Sequence, residues 1–263
     1  MQTVYFVNAF TTSNPLTGNP AAVCLLETWL PDTVMQAMAA QHNLSETAFV
    51  VARARDYEIR WFTPTVEIDL CGHATLATAH VLFEHLNVAS ERVVFNSASG
   101  LLEVSRAPQL TLNFPARPLS PCDNTVFCEA FGIPIQAFSN GHTAMLVCDS
   151  QQTVAQFQPS FSAIAKLPTQ INYLTAKGDG EGNSCDFVCR VFAPKAGINE
   201  DPVTGSAYTS LGPYWAKQIG KPQLTALQLS TRGGAVTLDV QSERVYIAGN
   251  ASTILIGQWQ ITP

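Results

Sequence analysis

Short apolar stretches dominate this chain, some alternating with polar positions and some rich in β-branched residues, with Gly, Pro and Asn punctuating them. Such a pattern predicts strands of modest length joined by turns. In the first half VYFVNAF (4–10), AFVVARA (48–54) and YEIRWFT (57–63) read as strands. VVFNSASGLLEVSR (93–106) and QLTLNFPAR (109–117) read as a hairpin and a following strand. Between the first two strands, TTSNPLTGNPAAV (11–23) reads as a Gly/Pro/Asn loop. Pro31 and Asp32 stand at the start of a helix predicted over 31–42. A second helix begins near Cys71 and runs through ATLATAHVLFEHL (74–86). Its residues are small at first and larger later, which suits close approach of a backbone or a ligand near its start.

The segment PARPLSPCDN (115–124) holds three prolines and several turn residues, and it is the predicted boundary between domains. Beyond it the same grammar returns. AMLVCD (144–149), INYLTAK (171–177) and DFVCRVFAP (186–194) read as strands, with a helical piece near 154–167 and a helix from about 204. Three or four further strands close the chain, with Arg232-Gly233-Gly234 in a turn. Strands outnumber helices and each half holds one long helix. The expectation is an α+β protein of two lobes, 1–115 and 125–263, each a curled sheet around a helix. The last strand is free to return to the first lobe.

Residues 62–77 (FTPTVEIDLCGHATLA) and 192–207 (FAPKAGINEDPVTGSA) lie 130 positions apart and repeat one another. Phe62 matches Phe192, Pro64 matches Pro194, Ile68 matches Ile198, and Ala77 matches Ala207, while Asp69 faces the near-isostere Asn199. Cys71 and Asp201 each follow the matching Phe by nine residues. Two copies predict a pseudo-two-fold molecule in which two helix starts face one cleft. Helix N-termini favour anions, so such a cleft is suited to hold a carboxylate and to move protons.

At 263 residues, the chain is long enough for one large core or for two domains of about 120–130 residues. Its 14 basic residues against 20 acidic ones, without a basic run, predict no nucleic-acid partner. No apolar stretch reaches the ~18 residues of a membrane span, so no membrane partner is expected. The opening MQTVYFVNAF lacks the regions of a secretory signal, which predicts a cytoplasmic location. Seven cysteines (24, 71, 122, 128, 148, 185 and 189) then read as reduced thiols. Cys185 and Cys189 fall on a strand-like run, where they would lie about 13 Å apart. His73, His80 and His85 lack the spacing of a ligand set, so no metal is expected. GxGxxG, GxxxxGK[ST] and GxSxG do not occur, and nothing suggests a nucleotide fold or a serine hydrolase.

Glu46 in HNLSETAFVV is a carboxylate in apolar company. If buried, it suits general acid/base work; alternatively Ser45-Glu46-Thr47 is a solvated turn or Glu46 caps a backbone amide. Cys71-Gly72-His73 stands at the first helix start. There Gly72 admits a ligand to backbone N–H groups, Cys71 is expected to have a lowered pKa, and His73 can titrate or donate a hydrogen bond. A buried small thiol beside a structural histidine explains the same residues. Asp201 is an N-cap candidate, with Pro202 at the first helical position and Gly205 and Ser206 keeping the surface open. Asn19 is a candidate to hydrogen-bond a substrate and Arg232 to bind a carboxylate; turn chemistry and a surface charge are their plain alternatives.

Across nearly the whole chain, VNAFTTSNPLTGNPAAVCLL, NLSETAFV, RWFTPTVEIDLCGHATLATAHVLF, FNSASGLLEV and DFVCRVFAPKAGINEDPVTGSA occur in the order seen in PhzF-like proteins. The chain resembles this family of phenazine-biosynthesis isomerases, which share the diaminopimelate epimerase fold. The resemblance implies two pseudo-symmetric lobes, each a barrel-like, mostly antiparallel sheet around a central helix. It implies a cofactor-independent isomerase and a homodimer acting on a small carboxylate. Glu46, in the SETAF motif, would be the acid/base that moves a proton, as within a dihydro-hydroxyanthranilate ring in the phenazine enzyme. His73, Asp201 and Ser206 would support substrate binding and proton handling, and Gly72 and Gly205 would supply backbone donors. Three residues depart from the pattern. Asn8 replaces Asp in the opening VDAF, a loop-side change, and Tyr208 stands where His is common. Cys71 occupies the place of the first catalytic cysteine of the epimerase relatives, while Asp201 takes the region of the second. A two-thiol epimerase is therefore disfavoured, and a Cys71-dependent racemase or epimerase and a non-catalytic small-acid binder remain the alternatives.

Overall fold

The computed structural model describes residues 2–106, 108–179 and 185–260. Two compact units emerge, one taking the residues up to Phe114 and from Ala248 onward, the other running from Pro115 to Ile247. In the first unit the elements are β1 (Gln2–Thr11), β2 (Asn19–Leu26), α1 (Asp32–His42), β3 (Glu46–Ala52), β4 (Tyr57–Phe62), β5 (Glu67–Ile68), α2 (Gly72–Glu84), β6 (Arg92–Ser97), β7 (Gly100–Ser105) and β8 (Leu110–Pro115). The second unit holds β9 (Ser120–Pro121), α3 (Thr125–Phe131), β10 (Gln136–Ser139), β11 (Thr143–Val147), α4 (Gln151–Gln156), α5 (Phe161–Ile164), β12 (Ile171–Lys177), β13 (Phe187–Ala193) and β14 (Ile198–Asp201). It continues through α6 (Tyr208–Ile219), β15 (Gln223–Gln228) and β16 (Gly234–Gln241). The last strand, β17 (Arg244–Trp259), starts in the second unit and ends in the first.

In the first unit β1 pairs with β17 and β2, and the pairing continues through β3, β4, β6, β7 and β8 back to β17. These eight strands close into a barrel, which leaves no open edge among them. The helix α2 packs against β1, β2, β3 and β7, and its residues Gly72 to Ala79 are all buried. A helix enclosed on all sides must be apolar or internally satisfied all round. Ala74, Ala77 and Ala79 meet that condition by size. Thr75 and Thr78 meet it by turning their hydroxyls onto the carbonyls of Cys71 and Ala74, at 2.5 and 2.8 Å.

The second unit repeats the order of strand polarities. β1/β2, β3/β4 and β6/β7 are antiparallel, with β2/β3 and β4/β6 parallel between them. Likewise β10/β11, β12/β13 and β15/β16 are antiparallel, with β11/β12 and β13/β15 parallel. In both units a short strand, β5 or β14, folds back on the strand before it and leads into the long helix. The 130-residue repeat read from the sequence maps onto these hairpins, with Trp61 opposite Ile68 in one and Val191 opposite Asp201 in the other.

Several expectations need correction. The loop predicted over 11–23 ends at Gly18, because Asn19–Leu26 is a strand. Pairing with β1 on one side and β3 on the other outweighs the turn-like composition of NPAAV. The helix predicted near 154–167 is two short helices separated at Pro159, each preceded by a serine at the N-cap. The sequence reading missed α3 and β10. The units divide at the edge of the predicted boundary segment, whose residues 115–124 open the second unit, where β9 pairs with β10.

Candidate active site

Parallel pairing of β3 with β2 places Glu46 beside Ala21, and antiparallel pairing with β4 carries on from Thr47. As the first strand residue, Glu46 alternates with Thr47, so the two side chains take opposite faces. Thr47 lies 2.9 Å from His42 Nδ1. Glu46 is only 7% exposed, which removes the reading of a solvated turn. Its Oε2 lies 3.1 Å from His73 Nε2, and His73 is 4% exposed. Although the distance is short, neither atom makes a well-directed hydrogen bond with any partner. The pair is a close contact between an acid and a base.

The other ring nitrogen of His73 has two neighbours. Asn19 Nδ2 lies 3.2 Å from Nδ1, and Cys71 Sγ lies 3.5 Å from it. Asn19 is fully buried as the first residue of β2, so the structure brings together residues 19, 46, 71 and 73. Burial by itself opposes a charge on His73, but the Cys71 sulfur and the Glu46 carboxylate outweigh it and hold the ring well above the ordinary histidine pKa.

Cys71 is the N-cap residue of α2, in extended conformation, and its side chain makes no capping hydrogen bond. The expected lowering of its pKa is overturned. Burial first, and the nearby Glu46 carboxylate second, push the thiol up to about 11, against the opposing pull of His73 and the Ala74 N–H. Spacing in the sequence does not reveal the neighbours of His73. Ligand atoms of Glu46, Cys71 and His73 lie within 4.8 Å of one another, and all three residues are buried. The first turn of α2 carries no acidic residue of its own, and the Glu46 carboxylate stands against it at His73.

The matching start in the second unit is built differently. Asp201 is not an N-cap: it ends β14, three residues before Thr204. Its Oδ2 accepts a short hydrogen bond from the Thr204 hydroxyl. Gly205 and Ser206 belong to a single 3-10 turn, and α6 begins only at Tyr208. The whole turn is held by Gln228, which sequence reading missed. Gln228 is fully buried on β15; its Nε2 donates to the Asp201 carbonyl at 2.8 Å and its Oε1 accepts from the Thr204 N–H at 3.0 Å. One signal was present: Leu224, Ala226 and Gln228 alternate inward on the strand, so the last is a polar side chain at a core position. Tyr208, where histidine is common in the resembling family, is fully buried with its hydroxyl 3.6 Å from Cys189 Sγ. Arg232 lies exposed in the bend before β16. Asn8 is buried on β1 and donates to the Pro15 carbonyl at 2.9 Å, closing the loop before β2.

Known proteins are similar to this chain along nearly its whole length. A curated protein of Pseudomonas aeruginosa, named an uncharacterized isomerase, is 46% identical over 259 residues that cover 97% of each chain. A crystal structure of a PhzF-family phenazine biosynthesis protein from Enterococcus faecalis superposes with a TM-score of 0.94 at 44% identity, covering 99% of both chains. A hydroxyproline epimerase from Agrobacterium vitis shares the fold at 11% identity, with a TM-score of 0.63 over 97% of this chain and 91% of its own. Residues 7–257 match the family described as phenazine biosynthesis-like protein, and the chain belongs to this PhzC-PhzF family, with an α+β fold of the epimerase type.

Proposed function

We propose that this isomerase moves a proton within a small carboxylic acid, without a cofactor, and that Glu46 is the general acid/base. The observation that carries the reading is the buried Glu46 carboxylate, 3.1 Å from His73 and without a directed hydrogen bond. A carboxyl group held this way can take a proton from carbon and return it at a second position, with water kept away. His73 orients Glu46 and balances its charge, and Asn19 fixes the ring from the far side. The N-terminal end of α2 at Gly72 receives the substrate carboxylate or the negative charge that develops as the proton leaves. Asp201, steadied by Thr204, and the turn residues Gly205 and Ser206 are further candidates, on the strength of the family resemblance.

A Cys71-dependent racemase draws on the same cluster, but a thiol pushed up to about 11 is a poor source of thiolate near neutral pH. Proton NMR in D2O separates the readings. Dihydro-hydroxyanthranilate and a panel of amino and hydroxy acids serve as candidate substrates for the wild type, Glu46→Gln, Cys71→Ala and Asp201→Asn. Deuterium wash-in or isomerised product should fall by at least about 10²-fold in Glu46→Gln while the fold is kept. Exchange that survives in Glu46→Gln and disappears in Cys71→Ala overturns the glutamate reading. Loss in Asp201→Asn assigns the second turn to the reaction, and full activity removes it.

A further inference from the structure

Glu46, Cys71 and His73 offer one carboxylate oxygen, one sulfur and one imidazole nitrogen within 4.8 Å of one another. Oxygen, nitrogen and sulfur from three side chains is a donor set suited to zinc and its neighbours rather than to magnesium or calcium. Bond lengths of about 2.0–2.3 Å to such an ion require ligand-to-ligand edges of about 3.5 Å. The Cys71 Sγ to His73 Nδ1 edge is already 3.5 Å. Glu46 Oε2 is buried without a directed hydrogen bond and lies 3.1 Å from the other ring nitrogen of His73, Nε2.

We propose that this cluster is an inhibitory site for thiophilic divalent cations of the Zn²⁺ class. Binding forms one metal–sulfur bond as the Cys71 thiol releases its proton to solvent; the liganding nitrogen of His73 releases its ring proton to solvent as well, and with Glu46 it completes three protein ligands. No electron is transferred. The lone pairs that would carry the substrate proton are then committed to the cation. Binding stands on the ligand geometry alone, whereas inhibition rests on the proton-shift reading given above.

Co²⁺ reports the site without any substrate, because a cobalt–thiolate bond adds a sulfur-to-metal charge-transfer band in the near ultraviolet. Titration of the full chain under reducing, anaerobic conditions should give one equivalent of this band, displaced by Zn²⁺. Cys71→Ser should abolish it, and Glu46→Gln should keep the band but weaken binding by about tenfold or more. Circular dichroism checks the fold of each variant, and Glu46→Gln alone decides the matter should Cys71→Ser not fold. The proposal is overturned by the absence of the band in folded wild type, or by unchanged affinity in Glu46→Gln. It is also overturned by a band that survives in Cys71→Ser, as a site on exposed Cys122 would give. None of these results depends on turnover, so failure of the proton-shift reading and failure of the cation site are read separately.

Discussion

Glu46 and its neighbour Thr47 divide their strand into a chemical face and a supporting one. Behind Thr47, His42 accepts a hydrogen bond at Nε2 from Trp259 Nε1 at 3.1 Å, which leaves its proton on Nδ1, directed toward the Thr47 hydroxyl. Burial lowers the His42 pKa to about 4 from an ordinary 6.5. The unfolded chain therefore binds a proton that the folded one refuses. Stability contributed by neutral His42 is complete above about 6.5 and is lost as pH falls toward about 4. Because His42 is only partly buried, the loss is on the order of 1–2 kcal/mol after discounting for solvent. Thermal melts at both ends of that window should show the wild type losing more stability on acidification than His42→Gln; equal losses would remove the histidine as the cause. A second residue-level strain sits at Phe10, fully buried with a φ of 60° where the β1 register shifts. Gly249 gives its ring room, since a Cβ there would stand 2.4 Å from Phe10 Cδ1. Gly249→Ala should destabilise the protein by about 1–3 kcal/mol, read from denaturant midpoints, through overpacking.

Among the elements, β13 is the most completely enclosed, with all seven residues buried, and it contains Arg190. The guanidinium is paired through Nε and Nη2 with Glu200 on β14 at 2.7 and 2.9 Å, and its Nη1 donates to the Phe157 carbonyl at 2.6 Å. A bidentate pair of this kind locks the hairpin that delivers Asp201. Glu200→Ala strands a buried cation and should cost about 3–5 kcal/mol, visible as a large fall in melting temperature. Little change would mean that water reaches Arg190. The first unit solves the same problem at its surface, where Arg60 on β4 binds both oxygens of Glu67 on β5 at 2.6 Å. That pair is half-exposed and is worth far less. Gln228 acts at this scale as well: it reproduces a backbone pairing across the Asp201–Thr204 turn with a side chain.

At the scale of the whole molecule, one strand order is used twice, and the chain's last strand belongs to both uses. The part of β17 from Ala248 onward pairs with β1 from Asn250 to Trp259 and completes the first barrel. Stability of the first unit should therefore depend on residues near the C-terminus. The tie from Trp259 to His42 makes this testable, because Trp259→Ala should weaken the packing behind Thr47 by about 3 kcal/mol. No helix of the described residues is long and apolar enough to cross a membrane. The family resemblance implies a homodimer, and light scattering on the purified chain should return twice its mass of 28.4 kDa; a monomer mass would remove that expectation.

Most strands and the two long helices were legible from residue order because period and turn chemistry act over a few positions. The repeat was legible too, since matching residues at a fixed spacing need no coordinates. So was the list of chemical candidates at the helix starts. Tertiary structure decided what depends on partners distant in sequence. Asn19–Leu26 became a strand because β1 and β3 flank it, against its own Gly/Pro/Asn-rich surroundings. Glu46 became buried and met His73, 27 positions away, because β3 lies beside the helix the barrel encloses. Cys71 became a reluctant acid for the same reason, since burial and a nearby carboxylate cannot be read from CGH alone. Local order names the groups that can do chemistry, whereas the dielectric around them and the distances between them arise only when remote strands pair.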